Sequence, residues 1–303
     1  MTGAQMAARA RSRTTVLPRP STSSRVADIA FRAVMYLSIA VGFAGLGAIL
    51  FDVARDGLPR LSWEFITNFP SRIIPERSGI QSALVGTLYL MAICTVLVVP
   101  LGVATAVYLE EYADRRRWWN RMIEVNIQNL AAVPSVVYGI LGLAFIVRGP
   151  LSMGRVLLAG GITLSLLVLP VVIIVAREAI RAVPPSIREG SLALGATKWQ
   201  TIWKQVLPGA IAGIATGVIL ALSRAIGETA PLLIIGAAVS PRFNPGSLFD
   251  SFTALPIQIF GWTTDADREF VSAAAGAILV LMAILVLMNS IAIFLRNRYE
   301  QKW

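Results

Sequence analysis

Apolar and polar positions in this chain alternate on the scale of whole helices. Six apolar stretches, at about 30–51, 82–108, 122–147, 154–176, 209–236 and 271–295, each reach the roughly 20 residues that cross a bilayer's hydrocarbon core. A soluble core would require polar faces on these helices, and they have almost none. Several runs exceed the minimum length and must tilt, kink or extend past the bilayer. Residues 1–29 are rich in Ser, Thr and Arg, lack an apolar run, and read as a disordered cytoplasmic tail. They are unlike a cleaved signal peptide, because the first apolar run is too long and no small-residue cleavage site follows it. The pattern predicts an all-α integral membrane protein with six transmembrane helices over residues 30–298 and a short tail at 299–303.

The polar stretch 184–208, PPSIREGSLALGATKWQTIWKQVLP, interrupts this pattern between the fourth and fifth spans. Pro184 and Pro185 stop one helix and favour the start of the next. Ser186 and Glu189 are spaced as a capping box, and Thr197 and Gln200 repeat the spacing. Gly195 between them suits the left-handed conformation that closes a short helix. Ile187, Gly190, Ser191 and Leu194 share one helical face; Trp199, Ile202, Trp203 and Val206 share another. A helix–Gly–helix unit with an apolar side is suited to docking on another protein. An ordinary interhelical loop has the same capping chemistry, so both readings stand.

Lys and Arg set the orientation. With the N-terminus inside, seventeen basic residues fall in inner segments and eight in outer ones, which predicts cytoplasmic termini and a cytoplasmic 184–208 insert. The net charge of +10 is then mostly a topology signal with attraction to anionic membrane lipid, not a sign of nucleic-acid binding. The outer segments, about 52–81 and 237–270, are rich in Pro and aromatics and suited to packing on each other or receiving a partner. Trp63, Trp262 and Trp303 read as interfacial anchors. The chain has no histidine and one cysteine, Cys94, inside a span and read as a small buried hydrophobe. No carboxylate cluster has metal-ligand spacing and no G-x-x-x-x-G-K-[ST] loop occurs, so neither a metal, a cofactor nor a catalytic site is expected. Any ATP energy must come from another subunit.

Candidate chemistry concentrates in the fifth span. Gly209, Gly213 and Gly217 form a small-residue stripe that suits close helix packing in lipid. On a wheel of 100° per residue, Arg224 and Glu228 fall about 20° to either side of Gly217, on the packed face. Arg224 lies roughly 24 Å along a helix from Pro208, where a charge costs on the order of 3 kcal/mol. Glu228, four residues on, can offset it. Gly227 and Pro231 are expected to weaken or kink the helix there. The pair suits an anion pathway; a purely structural ion pair fits the same residues. Arg177, at the inner end of the fourth span, is a second candidate, or else an anchor paired with Glu178 or with the counterions of Arg181. Pro134, Ser135, Tyr138 and Gly139 in the third span bring hydroxyls and a break in helix regularity, and read as packing residues rather than ligands.

The insert also resembles a known motif. Glu189, Gly195, Leu207 and Pro208 stand at the spacing of the EAA loop of ABC importer permeases, with Gly190 and Ser191 replacing its two alanines and Gln205 replacing its usual Ile. LGVATAVYLEEY (Leu101 to Tyr112), VPSVVYGILGL (Val133 to Leu143), RAIGETAPLL (Arg224 to Leu233) and FTALPIQIF (Phe252 to Phe260) resemble the phosphate-specific permeases of PstA type. The resemblance spans roughly residues 30–298. It implies the type I ABC importer (MetI-like) permease fold in a bacterial inner membrane, with Glu189, Gly195, Leu207 and Pro208 in an ATPase-coupling loop. It also implies roles for Arg224, and for Arg177, in the substrate pathway. The implied partners are a second permease of PstC type, a cytoplasmic ATPase dimer of PstB type and an extracytoplasmic phosphate-binding protein of PstS type. A permease for another anion, such as phosphonate, sulfate or molybdate, fits the same physics. A stand-alone anion channel or carrier would have no need of the docking insert.

Overall fold

The computed structural model describes residues 22–71, 74–114, 116–237 and 241–299, and these contain helices and connecting turns with no strand. Five helices are long and apolar enough to cross a membrane, or six if one sharply bent pair counts as a span. Helix α1 (Thr22–Gly57) begins within the stretch expected to be tail. Residues 1–21 and 300–303, the rest of the expected tails, lie outside the described residues, as does Trp303. After the short α2 (Trp63–Thr67), α3 (Gln81–Tyr112) matches the second predicted span and ends in a π turn over Tyr108–Tyr112.

The third predicted span is not one helix. α4 (Trp118–Ala131) and α5 (Ser135–Val147) meet at 105°. Pro134 sits at the joint, where it removes a donor and restricts the residue before it. Apolar run length carries no information about such a bend. α6 (Leu157–Arg181) is the fourth span, and its carboxyl end takes in Arg177.

Helix α6 is the packing centre. Its buried residues Val168, Val172, Ala176 and Ile180 share a core with Cys94 and Val98 of α3 and with Val206 and Ala210 further along the chain. Glycines set the approach on both sides. A Cβ on Gly102 would lie 2.7 Å from Val172, and one on Gly161 2.5 Å from Ile93. No larger residue fits at either place without separating the helices, because association in lipid relies on close van der Waals contact.

The insert's second arm and the fifth span form one continuous helix, α8 (Lys198–Ile226). The expectation of a separate short helix ending at Pro208 is therefore corrected. A π turn over Ile202–Val206 widens the ladder just before Pro208, whose ring lacks an N–H and would crowd the carbonyl one turn back. α8 stops at Ile226, and the chain resumes as α9 (Ala230–Ile235), capped by Gly236 at φ +91°. The break falls where Gly227 and Pro231 led it to be expected.

The segment 237–270 contains α10 (Leu255–Thr263), followed by the last span, α11 (Arg268–Tyr299). Trp262 is buried between Phe65 and Phe270, so it is a core residue and not an interfacial anchor. Phe65 and Trp262 come from the two outer segments read as packing on each other or receiving a partner, and these two residues pack together. Trp63 is exposed. The same loop caps α6: the carbonyls of Asp250 and Leu248 accept from the N–H groups of Leu157 and Leu158, which have no partner within their own helix.

Candidate functional site

The 184–208 turn is built largely as its sequence dictates. α7 (Pro185–Ala193) starts on Pro185, and Gly195 closes it at φ +82°. Thr197 and Gln200 form the reciprocal capping box: the Thr197 hydroxyl accepts from the Gln200 N–H, and the Gln200 side chain accepts from the Thr197 N–H. Ser186 and Glu189 do not form one. With Pro185 in the first helical position, Ser186 lies inside the helix and its side chain caps nothing. Ser191 and Thr201 join the two arms through their hydroxyls at 2.9 Å. The apolar face of the second arm divides: Ile202 and Val206 are fully buried, while Trp199 and Trp203 are exposed and pair at 5.2 Å. Beside them is an open hollow lined by Ile187, Gly190, Ser191, Leu194, Gln200 and Lys204. Leu194 is 90% exposed at its rim. Glu189 lies in α7; Leu207, half-buried, and Pro208 begin the straight part of α8.

A charge network, whose carboxylates the sequence reading did not name beyond Glu178 and the counterions of Arg181, ties this turn to the membrane helices. The Arg177 side chain, 8% exposed, faces Glu124 of α4 at 3.0 Å and Glu110 of α3 at 3.5 Å. Its expected neighbour Glu178 pairs instead with Arg181, which also shares Glu110. Arg188 of α7 pairs with Glu111 at 2.9 Å and donates to the carbonyls of Val183 and Ile180. The adjacent carboxylates of the L-E-E-Y segment thus face two different arginine groups. The available signal was that two acids at the end of an apolar run require cationic partners when buried. Arg177 keeps one buried donor, Nε, without a partner.

The third element lies at the break between α8 and α9. Gly213 and Gly217 set the contact of α8 with α6: a Cβ on Gly213 would come within 2.8 Å of Ala179, and one on Gly217 would overlap Val175. Gly209, half-buried, starts the stripe. Gly217, Ala221 and Ala225 are buried. Arg224 is not: it sits at the edge of the packed face with 66% of its side chain exposed. Glu228 lies beyond the helix end, so the wheel count that put it on the packed face does not reach it. Its carboxylate, 16% exposed, still meets Arg224 Nε at 3.5 Å. Arg224, Ser135, Tyr138 and Leu130 line a small hollow beside the α4–α5 bend. Tyr138 is spent on the bend, where its hydroxyl donates to the Leu130 carbonyl at 2.9 Å. A Cβ on Gly139 would lie 2.7 Å from Pro231, so the two broken helices pack together. An exposed guanidinium with a part-buried carboxylate beside it can exchange that carboxylate for another anion. Among the described residues no group of acids and Cys could hold a metal ion.

Residues 98–302 match the family model described as "Binding-protein-dependent transport system inner membrane component". The phosphate transport system permease protein PstA 1 of Mycobacterium tuberculosis is 35% identical over 74% of this chain and 73% of its own length. PstA of Haemophilus influenzae is 31% identical over 88% of this chain and 92% of its own. Among solved structures, a bacterial alginate ABC transporter crystallised with its alginate-bound periplasmic protein matches 88% of this chain and 94% of its own at a TM-score of 0.63 and 16% identity, a likeness of fold. The fold is that of the MetI-like permeases of type I ABC importers. The match of the family model over two thirds of the chain and the full-length likeness to a PstA permease show that the chain belongs to the family of binding-protein-dependent transport system inner membrane components.

Proposed function

We propose that this chain is the PstA-type permease of an ATP-driven importer of inorganic phosphate. It forms the pathway with a second permease of PstC type. A PstB-type ATPase dimer docks on the 184–208 turn, and a PstS-type protein delivers phosphate from outside. Both termini lie in the cytoplasm, with 237–270 on the far side. Residues 30–298 act as one permease domain.

The observation that carries the proposal is Arg224, exposed at a helix break deep in an apolar segment and, among the described residues, ion-paired with one carboxylate at 3.5 Å. Its planar fork matches phosphate oxygens in a bidentate way that Lys cannot reproduce. Glu228 competes for the guanidinium when the site is empty and repels the anion as the site reopens. On the cytoplasmic side, the hollow beside Leu194 and the fixed turn at Gly195 give an ATPase a shaped surface. Glu189 lies in the first arm of the turn and Leu207 and Pro208 follow its second arm, and the Arg188–Glu111 pair links the first arm to α3. Arg177 stands at the inner end of the same route.

The test is uptake of labelled phosphate by the reconstituted complex, with sulfate, molybdate and phosphonate as competitors. Phosphate should be taken up and the others should compete poorly. Arg224→Gln should abolish uptake with the complex still assembled, Arg224→Lys should retain a fraction, and Glu228→Gln should bind well but turn over slowly. Full uptake by Arg224→Gln would remove the pathway role; preferred uptake of a competitor would change the cargo.

A further inference from the structure

The second arm of the turn has a face that the docking hollow does not use. Trp199, Trp203 and Leu207 recur every four residues along α8 and lean toward α3. With Val99, Pro100, Val103 and Val107 they line an open, almost wholly apolar groove between the two helices. The groove follows α3 from Pro100 to Tyr112, about 18 Å at 1.5 Å per residue, comparable with half of the roughly 30 Å hydrocarbon core. Its mouth is different in character. Lys198 lies 4.9 Å over the Tyr112 ring and, among the described residues, meets no carboxylate. The indole N–H groups of Trp199 and Trp203 and the hydroxyl of Tyr112 likewise have no hydrogen-bond partner there. The neighbouring acids are otherwise engaged: Glu111 is held by Arg188, and Glu110 by Arg177 and Arg181.

One cation and several unused donors at the mouth of an apolar slot are the complement of a lipid: chain below, phosphodiester above. We propose that this groove is a binding site for an anionic glycerophospholipid. One acyl chain lies along Val103, Val107 and Leu207, and the phosphate rests against Lys198, Trp199 and Tyr112. The bound lipid wedges the second arm of the turn against α3. Membrane composition therefore acts on the position of the docking turn itself. The inference needs only that these helices cross a membrane; it does not depend on phosphate as the cargo.

The assembled transporter is reconstituted in nanodiscs containing phosphatidylglycerol or phosphatidylcholine with brominated acyl chains, which quench tryptophan on contact. The Trp199→Phe/Trp203→Phe variant isolates the contribution of this pair. Its quenching should saturate at a low mole fraction of brominated phosphatidylglycerol. Lys198→Ala should raise the half-saturating fraction about fivefold, the equivalent of one lysine near an anionic surface, and Lys198→Arg should not. High salt on the unaltered protein should reproduce the Lys198→Ala shift, a control that needs no variant to assemble. Phosphatidylcholine should quench only in proportion to its amount. Equal curves for the two lipids would mean bulk contact alone and overturn the site. Absence of quenching by either lipid would mean that a protein helix covers the groove and would overturn it as well.

Discussion

Arg177→Gln should destabilise the assembled complex far more than Arg224→Gln, although both remove one arginine from a membrane helix. Arg177 is 8% exposed and stands between Glu110, also 8% exposed, and Glu124. Removing one member of a buried ion pair leaves an uncompensated charge and costs about 3–5 kcal/mol. Two features favour the lower end. Glu110 keeps Arg181 at 3.1 Å, and Glu124 is 35% exposed and partly hydrated. A loss of about 3 kcal/mol lowers a melting midpoint by roughly 6 °C at about 2 °C per kcal/mol for a large domain. Arg224 is 66% exposed, so solvent screens its pair with Glu228 to below about 1 kcal/mol, or roughly 2 °C. Arg177→Lys should fall between, since one ammonium keeps the charge but does not span two carboxylates. Arg177→Gln combined with Glu124→Gln should recover part of the loss, because the excess carboxylate is gone. The assay is the fraction of intact complex surviving heating, by size-exclusion chromatography, with phosphate uptake measured on the survivors. Equal midpoints for Arg177→Gln and Arg224→Gln would refute the reasoning, as would an unchanged midpoint for Arg177→Gln.

Substitutions at Gly195 should act through backbone strain, because φ is +82° and nothing lies within 4 Å of an added Cβ. Gly195→Ala should cost about 1–2 kcal/mol of turn stability. Gly195→Pro, whose ring holds φ near −65°, should uncouple ATPase activity from uptake while the protein still inserts; normal coupling in that variant would remove the docking role. In a Cys94→Ala background, an impermeant thiol reagent added to spheroplasts should spare Lys198→Cys and label Phe249→Cys; the reverse pattern would invert the topology. The Asp250 carboxyl accepts from the N–H groups of Gly246 and Ser247, which hold its pKa below the ordinary 3.8. A depressed carboxylate stabilises above its ordinary value and loses that contribution as pH falls through the lowered one. Amide protection at 246–250, measured against the intrinsic exchange rate at each pH, should therefore fall below about pH 4, and Asp250→Asn should remove that pH dependence.

Much of this protein can be read without coordinates, wherever the determinant is local. Run length and the absence of polar faces predict membrane helices, because backbone groups in lipid must be satisfied within their own segment. The turn at Gly195 and the Thr197–Gln200 box follow from residues three or four apart. The weak point at Gly227 and Pro231 is written in two residue types. Pairings between distant segments are not local, and there the structure decides. Glu110 and Glu124 lie far from Arg177 in sequence, and no spacing rule joins them; of the two partners read for Arg177, Glu178 goes to Arg181 instead, while a counterion of Arg181, Glu110, is shared with Arg177. Trp262 reads as an anchor until Phe65 and Phe270 close over it. The bend at Pro134 and the straight passage through Pro208 show the same residue type with opposite outcomes. At the first, the chain turns so that Gly139 can meet Pro231; at the second, a π turn absorbs the ring and the buried Ile202 and Val206 hold the helix on course. Local chemistry specifies what each segment can form, while contacts between segments select which form is kept, because only they bring together charges and ring faces that the chain holds far apart.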